Sequence, residues 1–236
     1  MRISIVIPAR NEEEVVGETI EQFLGRTPPA VEEVIVVDDH STDGTAGVVR
    51  ALAVRFPAVR LVANEREPGF ANALLTGFEK ATGDFILPVM ADGCDDPATV
   101  ALMREKALRG YDLVCGSRYR RGGGKVGGPF MQGCFSFLVG TTLPVFAGLP
   151  TRDVSNAYKL YRREMLDRMR LKEKGFAISM EAVLVARDLG YRIADVPTVW
   201  YGRKKGKSKF RFAKTLPYVR LYCTAIVLRR IGRSGT

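Results

Sequence analysis

The sequence contains one histidine, His40, in 236 residues. That excludes His-rich metal centres and any scheme that passes protons between two imidazoles. Cysteine is sparse and scattered: Cys94, Cys115, Cys134 and Cys223 show no C-x-x-C spacing, so neither a zinc site nor a disulfide framework is indicated. No apolar run stands behind a basic patch at the N-terminus, where strand-like sequence begins directly after Met1 and Arg2. A secretory signal is not expected, and the chain is read as cytoplasmic. Acidic residues stop at Asp195, yet eleven cations follow, among them Arg203, Lys204, Lys205, Lys207 and Lys209. The net charge of +10 therefore belongs to the C-terminal segment, since the first 195 residues carry 25 basic against 26 acidic side chains. Such a segment suits an anionic membrane surface or a phosphate-bearing ligand better than nucleic acid. A solvated tail serving solubility is the plainer alternative. Charge is also missing from 126–151, where Gly127, Gly128, Pro129, Pro144 and Pro150 interrupt an apolar, Phe-rich run. These breaks argue against a membrane span and leave either an interfacial or a buried segment.

With 46% hydrophobic residues the chain can bury one large core. "ISIVIP" (3–8), "EVIVVD" (33–38), "VRLVA" (59–63) and "DFILPVM" (84–90) are short and mostly rich in branched residues, as buried parallel strands are. Helical stretches lie between them at Glu13–Leu24, Thr45–Arg55 and Gly69–Ala81, and Pro97 opens another through Arg109. With "YDLVCGS" (111–117) this forms a doubly wound α/β pattern. Ligands bind at the carboxyl ends of strands in such sheets. The clusters "PARNEEE", "DDHSTDGT" and "ADGCDD" each follow a strand, so all three are expected on one face. Further on come a strand "NAYKLY" (156–161), a helix "SMEAVLVARDLG" (179–190) and a strand "YRIADVPTVW" (191–200).

Two local patterns fail on their spacing. "DDHSTDGT" is similar to a calcium loop, but its twelfth position, counted from Asp39, is Arg50 where a bidentate glutamate is needed. It reads better as a strand tip whose carboxylates meet a ribose or base edge, followed by a helix capped at Ser41, Thr42 or Asp43. "YGRKKGKS" has the Gly206-Lys207-Ser208 ending of a phosphate-binding loop, but Tyr201 stands at its first glycine and it follows the sheet rather than the first strand. A glycine-kinked cationic loop still suits phosphate.

"IVIPARNEEE", "VVDDHSTDGT", "GFANALLTGFEKATGD", the acidic turn before Pro97, "GSRY" with "GGG", "DVSNAYKLYRREML" and "GYRIADVPTVWYGRKKGKSKF" stand in register. In order and spacing they resemble the family-2 glycosyltransferases of GT-A fold. Within that family they are similar to the polyprenyl-phosphate hexosyltransferases, the branch that includes dolichol-phosphate mannose synthase. The likeness runs from Ile3 to about Phe210, and the spacing of Arg203, Gly206, Ser208 and Lys209 is its most particular part. It implies a single GT-A domain over 1–210, Rossmann-like with a mostly parallel doubly wound sheet, and a basic amphipathic C-terminal segment over 211–236.

The same resemblance implies an inverting transfer of a hexose, of mannose or glucose type, from a nucleotide diphosphate sugar to a polyprenyl phosphate at the cytoplasmic membrane face. Pro8, Ala9, Arg10, Glu12 and Asp39 would hold the nucleoside. Ser117, Arg118, Arg203, Ser208 and Lys209 would meet phosphates. Asp153 would orient the acceptor or steady charge at the anomeric carbon, and Asp92 would face the donor pyrophosphate through Mg or Mn, with Asp95 as a helper. Asp96, beside Pro97, reads instead as a helix cap. The branch usually shows D-x-D-x-Q at this turn, whereas here Met90 and Cys94 flank Asp92. Thioether and thiol are soft ligands and poor partners for magnesium. Transfer to another lipid or glycan, and a non-catalytic nucleotide-sugar-binding protein, therefore stand as alternatives, and the need for a membrane-spanning partner subunit is left open. The chemistry implied asks little of a base, because a phosphomonoester is largely dianionic at neutral pH. It asks instead for cations around a departing diphosphate.

Overall fold

The computed structural model describes residues 1–26, 31–128, 130–203 and 216–233. Strands β1 (Ile3–Ala9), β2 (Val31–Asp38), β3 (Val59–Ala63) and β4 (Phe85–Pro88) are separated by helices α1 (Val16–Arg26), α2 (Thr45–Arg55) and α3 (Phe70–Lys80). Helix α4 (Thr99–Leu108) leads into β5 (Leu113–Ser117). Ile3, Ile5, Val6 and Ile7 of β1 and Val34 to Val37 of β2 are fully buried, which is why these strands read as continuous apolar runs rather than alternating ones. One core layer is formed with α1, α2 and α4, through residues such as Phe23, Leu52 and Met103. The other lies beneath α3 and the later helices, through Leu74, Phe78 and Tyr161.

The main sheet runs β3-β2-β1-β4-β7-β5-β8, with β7 (Lys159–Arg162) antiparallel to both neighbours and the remaining pairs parallel. The doubly wound pattern expected from the first half is thus realised, in a single domain. "YRIADVPTVW", expected as one strand, is two: β8 (Ile193–Pro197) stays in the main sheet, and β9 (Val199–Tyr201) pairs with β6 (Gly124–Val126) in a second sheet. Pro197 has no N–H to continue a ladder. Thr198 marks the crossing, with its amide on the Ser117 carbonyl at 3.1 Å and its hydroxyl 2.8 Å from that of Thr99.

The uncharged stretch forms α5 (Phe130–Ala147), with Pro144 inside it. Val139, Leu143 and Ala147 enter the core, while Phe137, Leu138, Val145 and Phe146 are exposed. One side of the segment is thus buried, as one of the two expectations had it, and the other is exposed. Gly140 permits the buried approach, since a Cβ there would lie 2.6 Å from the Arg152 carbonyl oxygen. Helix α6 (Arg163–Arg168) follows β7, and α7 (Ile178–Asp188) and α8 (Leu216–Arg233) complete the layer. Tyr218 and Ala225 of α8 are buried in the core, and the Tyr222 hydroxyl donates to Thr142 Oγ1 of α5 at 2.9 Å. The segment set apart by sequence as a basic tail is, over its described residues, a helix docked on the domain. Among the described residues no helix is long and apolar enough to cross a membrane.

Candidate active site

The three polar clusters do meet at the carboxyl ends of β1, β2 and β4. Pro8 and Ala9 close β1, and Arg10 beyond them is exposed. Asn11 and His40 adopt left-handed backbone (φ 52° and 57°), which these residue types tolerate better than most. The Asn11 side chain accepts from the Thr42 amide at 2.8 Å, and the Glu12 amide donates to Thr45 Oγ1 at 2.8 Å, so the first two loops are knitted together. Asp43 accepts from the Thr45 amide at 3.0 Å just before α2, but the N-cap of that helix is Gly44, with no side-chain cap, rather than Ser41, Thr42 or Asp43. Asp39 is buried and already engaged, accepting from Asn64 Nδ2 at 2.7 Å and from the Gly69 amide at 3.0 Å. His40 bonds the Arg66 carbonyl at 3.0 Å.

The acidic turn after β4 is pinned from two sides. Thr19 Oγ1 of α1 donates to the Ala91 carbonyl at 3.0 Å, and the Tyr201 amide of β9 donates to the Cys94 carbonyl at 2.9 Å. Asp95 and Trp200 form a bridge, which carries β9 directly past the turn. Gly202 then donates to the Val126 carbonyl at 2.6 Å, and a Cβ at this position would lie 2.7 Å from the Gly128 nitrogen, so glycine is required. The next residue, Arg203, is thereby delivered to the sheet edge. Its guanidinium forks onto Glu12 at 3.0 and 3.1 Å and reaches Asp92 Oδ2 at 3.3 Å. Burial alone would lower the Arg203 pKa, but Glu12 and Asp92 more than reverse this and hold it charged.

Asp92 Oδ1 accepts from the Cys94 amide at 3.2 Å. Cys94 is a neutral thiol, its pKa driven far up by burial and then by Asp92. Asp95 is buried and accepts from the Met90 amide at 2.9 Å; burial, aided by Asp92, pushes its carboxyl up to about 7. Asp96 accepts from the Ala98 amide at 3.1 Å in the turn before α4, but the N-cap of that helix is Ala98, so Asp96 does not cap it as expected. Among the described residues no three His, Cys, Asp or Glu side chains gather as a metal-holding group.

A second knot lies beyond β5. Ser117 ends that strand fully buried, with its hydroxyl 3.4 Å from the Tyr119 amide, so it shapes the turn rather than lining an open surface. Arg118 grips Asp153 through Nε at 2.7 Å and Nη2 at 2.8 Å, and its own amide adds a third bond at 3.0 Å. Asp153 is wholly buried, and its carboxylate more than offsets the lowering that burial imposes on the Arg118 pKa. Arg118 Nη2 also donates to Ser136 and Ser155 Oγ at 2.9 and 3.1 Å. Sequence reasoning gave no role to Ser136, Ser155 or Lys159. Lys159 is fully buried in β7 and ties down the loop carrying Asp153, donating to the carbonyls of Val154, at 3.1 Å, and Asn156. Its place in an apolar strand was the available signal, because a lysine is buried only for its contacts. Ser208 and Lys209, expected at the phosphates, lie outside the described residues.

A family model described as Glycosyl transferase family 2 matches residues 4–170. The chain belongs to that family. Among curated members it is 33% identical, over 89% of this chain and 87% of the relative, to the undecaprenyl-phosphate mannosyltransferase of Micrococcus luteus. It is 28% identical, over 93% of this chain, to the dolichol-phosphate mannosyltransferase of Pyrococcus furiosus, of whose length it spans 62%. It is 29% identical to the polyprenol monophosphomannose synthase of Mycolicibacterium smegmatis, over 88% of this chain and 80% of that one. The GT-A fold is shared with glucosyl-3-phosphoglycerate synthase of Mycobacterium tuberculosis. Its structure with Mn2+, uridine diphosphate and phosphoglyceric acid superposes with a TM-score of 0.70 at 21% identity, over 97% of this chain and 78% of that one. The same enzyme has been solved with Mg2+ and uridine diphosphate, at a TM-score of 0.70, 21% identity and coverage of 97% and 79%.

Proposed function

We propose that this family-2 member moves a hexose from a nucleotide diphosphate sugar to a polyprenyl phosphate at the cytoplasmic membrane face, with inversion. The observation that carries the reading is the meeting of Arg203, Glu12 and Asp92 at the sheet edge. It joins the sequence stretch most particular to the polyprenyl-phosphate branch to the turn that faces the donor. The relatives' names, all polyprenyl- or dolichyl-phosphate mannosyltransferases or synthases, point the same way.

In this reading an oxygen of the acceptor phosphate attacks the anomeric carbon while the bond to the donor diphosphate breaks and its electrons leave with the diphosphate. The dianionic acceptor needs no strong base, which agrees with a site whose histidine is committed to the Arg66 carbonyl and whose Asp153 is committed to Arg118. Pro8, Ala9, Arg10 and Glu12 frame the nucleoside, with Asp39 holding the β3–α3 loop beside them. Arg203 meets the phosphates, with Ser208 and Lys209 assigned to the same task, while Arg118, held on Asp153, shapes the turn after β5 beside the acceptor. Ser117 and Asp153 act through Arg118 as positioning residues.

Magnesium or manganese fits this chain only as an ion shared with the donor. Asp92 supplies a hard carboxylate at the sheet edge, and Asp95 is sealed against the Met90 amide. One carboxylate with substrate phosphates and water is a usual set for Mg2+. When bound, such a cation would neutralise charge on the departing diphosphate. The exposed Phe137, Leu138 and Phe146 of α5 suit the interfacial zone of a bilayer, and the basic C-terminal segment suits its anionic surface.

The test is transfer of label from GDP-mannose and UDP-glucose to a short-chain polyprenyl phosphate by the purified chain. Lipid-linked sugar formed without any other protein also decides that no membrane-spanning partner subunit is needed. The engagement of both Asp92 oxygens favours one rival, a nucleotide-sugar-binding protein without catalysis. Tight donor binding with no product from any acceptor, lipid or glycan, would establish it.

A further inference from the structure

This inference rests on the donor reading above and concerns the order in which the site fills. A single nitrogen of Arg203, Nη2, lies 3.1 Å from Glu12 Oε1 and 3.3 Å from Asp92 Oδ2. It therefore stands between carboxylates delivered by two different loops, after β1 and after β4. The second Asp92 oxygen accepts from the Cys94 amide at 3.2 Å. While Arg203 is in place, its positive charge stands against the Asp92 oxygen that a divalent cation would meet.

We propose that Arg203 is an internal stand-in cation, which holds Asp92 until a nucleoside diphosphate draws the guanidinium onto its phosphates. Divalent cation and diphosphate then enter together, and each alone binds weakly. A guanidinium fork matches phosphate as well as it matches carboxylate. Its departure removes a positive charge from beside Asp92, a state that favours the arrival of a cation. A cation arriving first must instead evict Arg203 against the two hydrogen bonds it donates to Glu12. By linkage the effect is mutual, so the diphosphate raises cation affinity by the same factor as the cation raises diphosphate affinity.

The backbone on either side makes this an exchange of one side chain. Tyr201 is tied to the Cys94 carbonyl and Gly202 to the Val126 carbonyl, at 2.9 and 2.6 Å. The base of Arg203 is thus anchored beside the acidic turn, and only its long, partly open side chain has to swing. Its 18% exposure, with 9% for Glu12 and 15% for Asp92, leaves room for that movement.

The test measures Mn2+ binding to the full chain by electron paramagnetic resonance, with and without GDP or UDP and without lipid. In the wild-type chain a bound nucleoside diphosphate is expected to tighten Mn2+ binding by about tenfold or more. Arg203→Gln is expected to bind Mn2+ without nucleotide about tenfold more tightly than wild type and to lose most of the coupling. Nucleotide-free Mn2+ affinity in Arg203→Gln that is equal to or below the wild-type value overturns the proposal. So does a wild-type chain that binds diphosphate but shows one Mn2+ affinity in its presence and absence, a result that needs no variant to fold. That second outcome leaves the donor reading standing. Failure of the wild-type chain to bind any nucleoside diphosphate or nucleotide sugar removes both.

Discussion

Arg118 and Arg203 are each forked onto a carboxylate, but their surroundings are opposite. The Arg118–Asp153 knot is sealed, with side-chain exposures of 12% and 0%, and is reinforced by Ser136, Ser155 and the turn amide. The Arg203 knot is more open, joins two acids rather than one, and is closed by a strand from a separate two-stranded sheet. A buried pair that loses one partner leaves an uncompensated charge, whereas a partly solvated pair can be exchanged. The first knot therefore builds the site, and the second operates it.

The largest expected effect falls on the sealed knot. Asp153→Ala strands Arg118 in the interior and is expected to cost about 3–5 kcal/mol of stability in urea unfolding. Unchanged stability would show that the knot is not holding the turn after β5. Arg203→Gln separates the two knots cleanly. It should cost clearly less stability than Asp153→Ala, while initial rates of lipid-linked sugar formation fall by about a hundredfold, as for loss of one preorganised donor to transition-state charge. Equal damage to folding and rate would erase the distinction drawn here.

A smaller effect concerns Asp95, between the knots. Its carboxyl is raised from the ordinary range to about 7 by burial, so the folded state binds more protons than the unfolded state between roughly pH 4 and 7. Stability from this group is therefore present at low pH and is lost as pH rises through that window, with a slope of at most about 1.4 kcal/mol per unit. Asp95→Asn keeps an acceptor for the Met90 amide and should flatten the pH profile of thermal unfolding. A wild-type profile as flat as the variant's would remove this group from the account. The smallest effect lies farthest from both arginines: Phe146→Ser on the exposed side of α5 should weaken liposome binding by about threefold to tenfold. Its turnover on a soluble short-chain acceptor should match wild type.

The contrast also governs what could be read in the sequence. Strands of the first half are buried on both faces and flanked by amphipathic helices, so their alternation was visible, and β3 and α2 fall at the expected residues. Strand β7 was legible as a strand but not as the one antiparallel member inserted between β4 and β5, because its four residues carry no signal of direction. The crossing at Thr198 depends on a neighbouring sheet that sequence does not display. Motif order singled out Glu12, Asp92, Arg118, Asp153 and Arg203. It could not show which carboxylates were already engaged: Asp39 by Gly69 and Asn64, Asp95 by Met90, Asp153 by Arg118. Such pairings are set by three-dimensional proximity, and they divide the acids between building and operating the site.

The bond between Arg203 and Glu12 spans 191 positions of the chain. At ordinary synthesis rates of roughly 5–20 residues per second, about 10–40 s separate the making of the two residues. The sheet strands β1 to β4 are all translated before β9, so the acidic turn exists for most of that interval without the strand that runs past it. A ribosome-bound chain halted before residue 203 would carry the loops after β1 and β4 and lack the arginine that joins them. The contact that joins these two loops is thus postponed until residue 203 has been made, after all the strands that flank it.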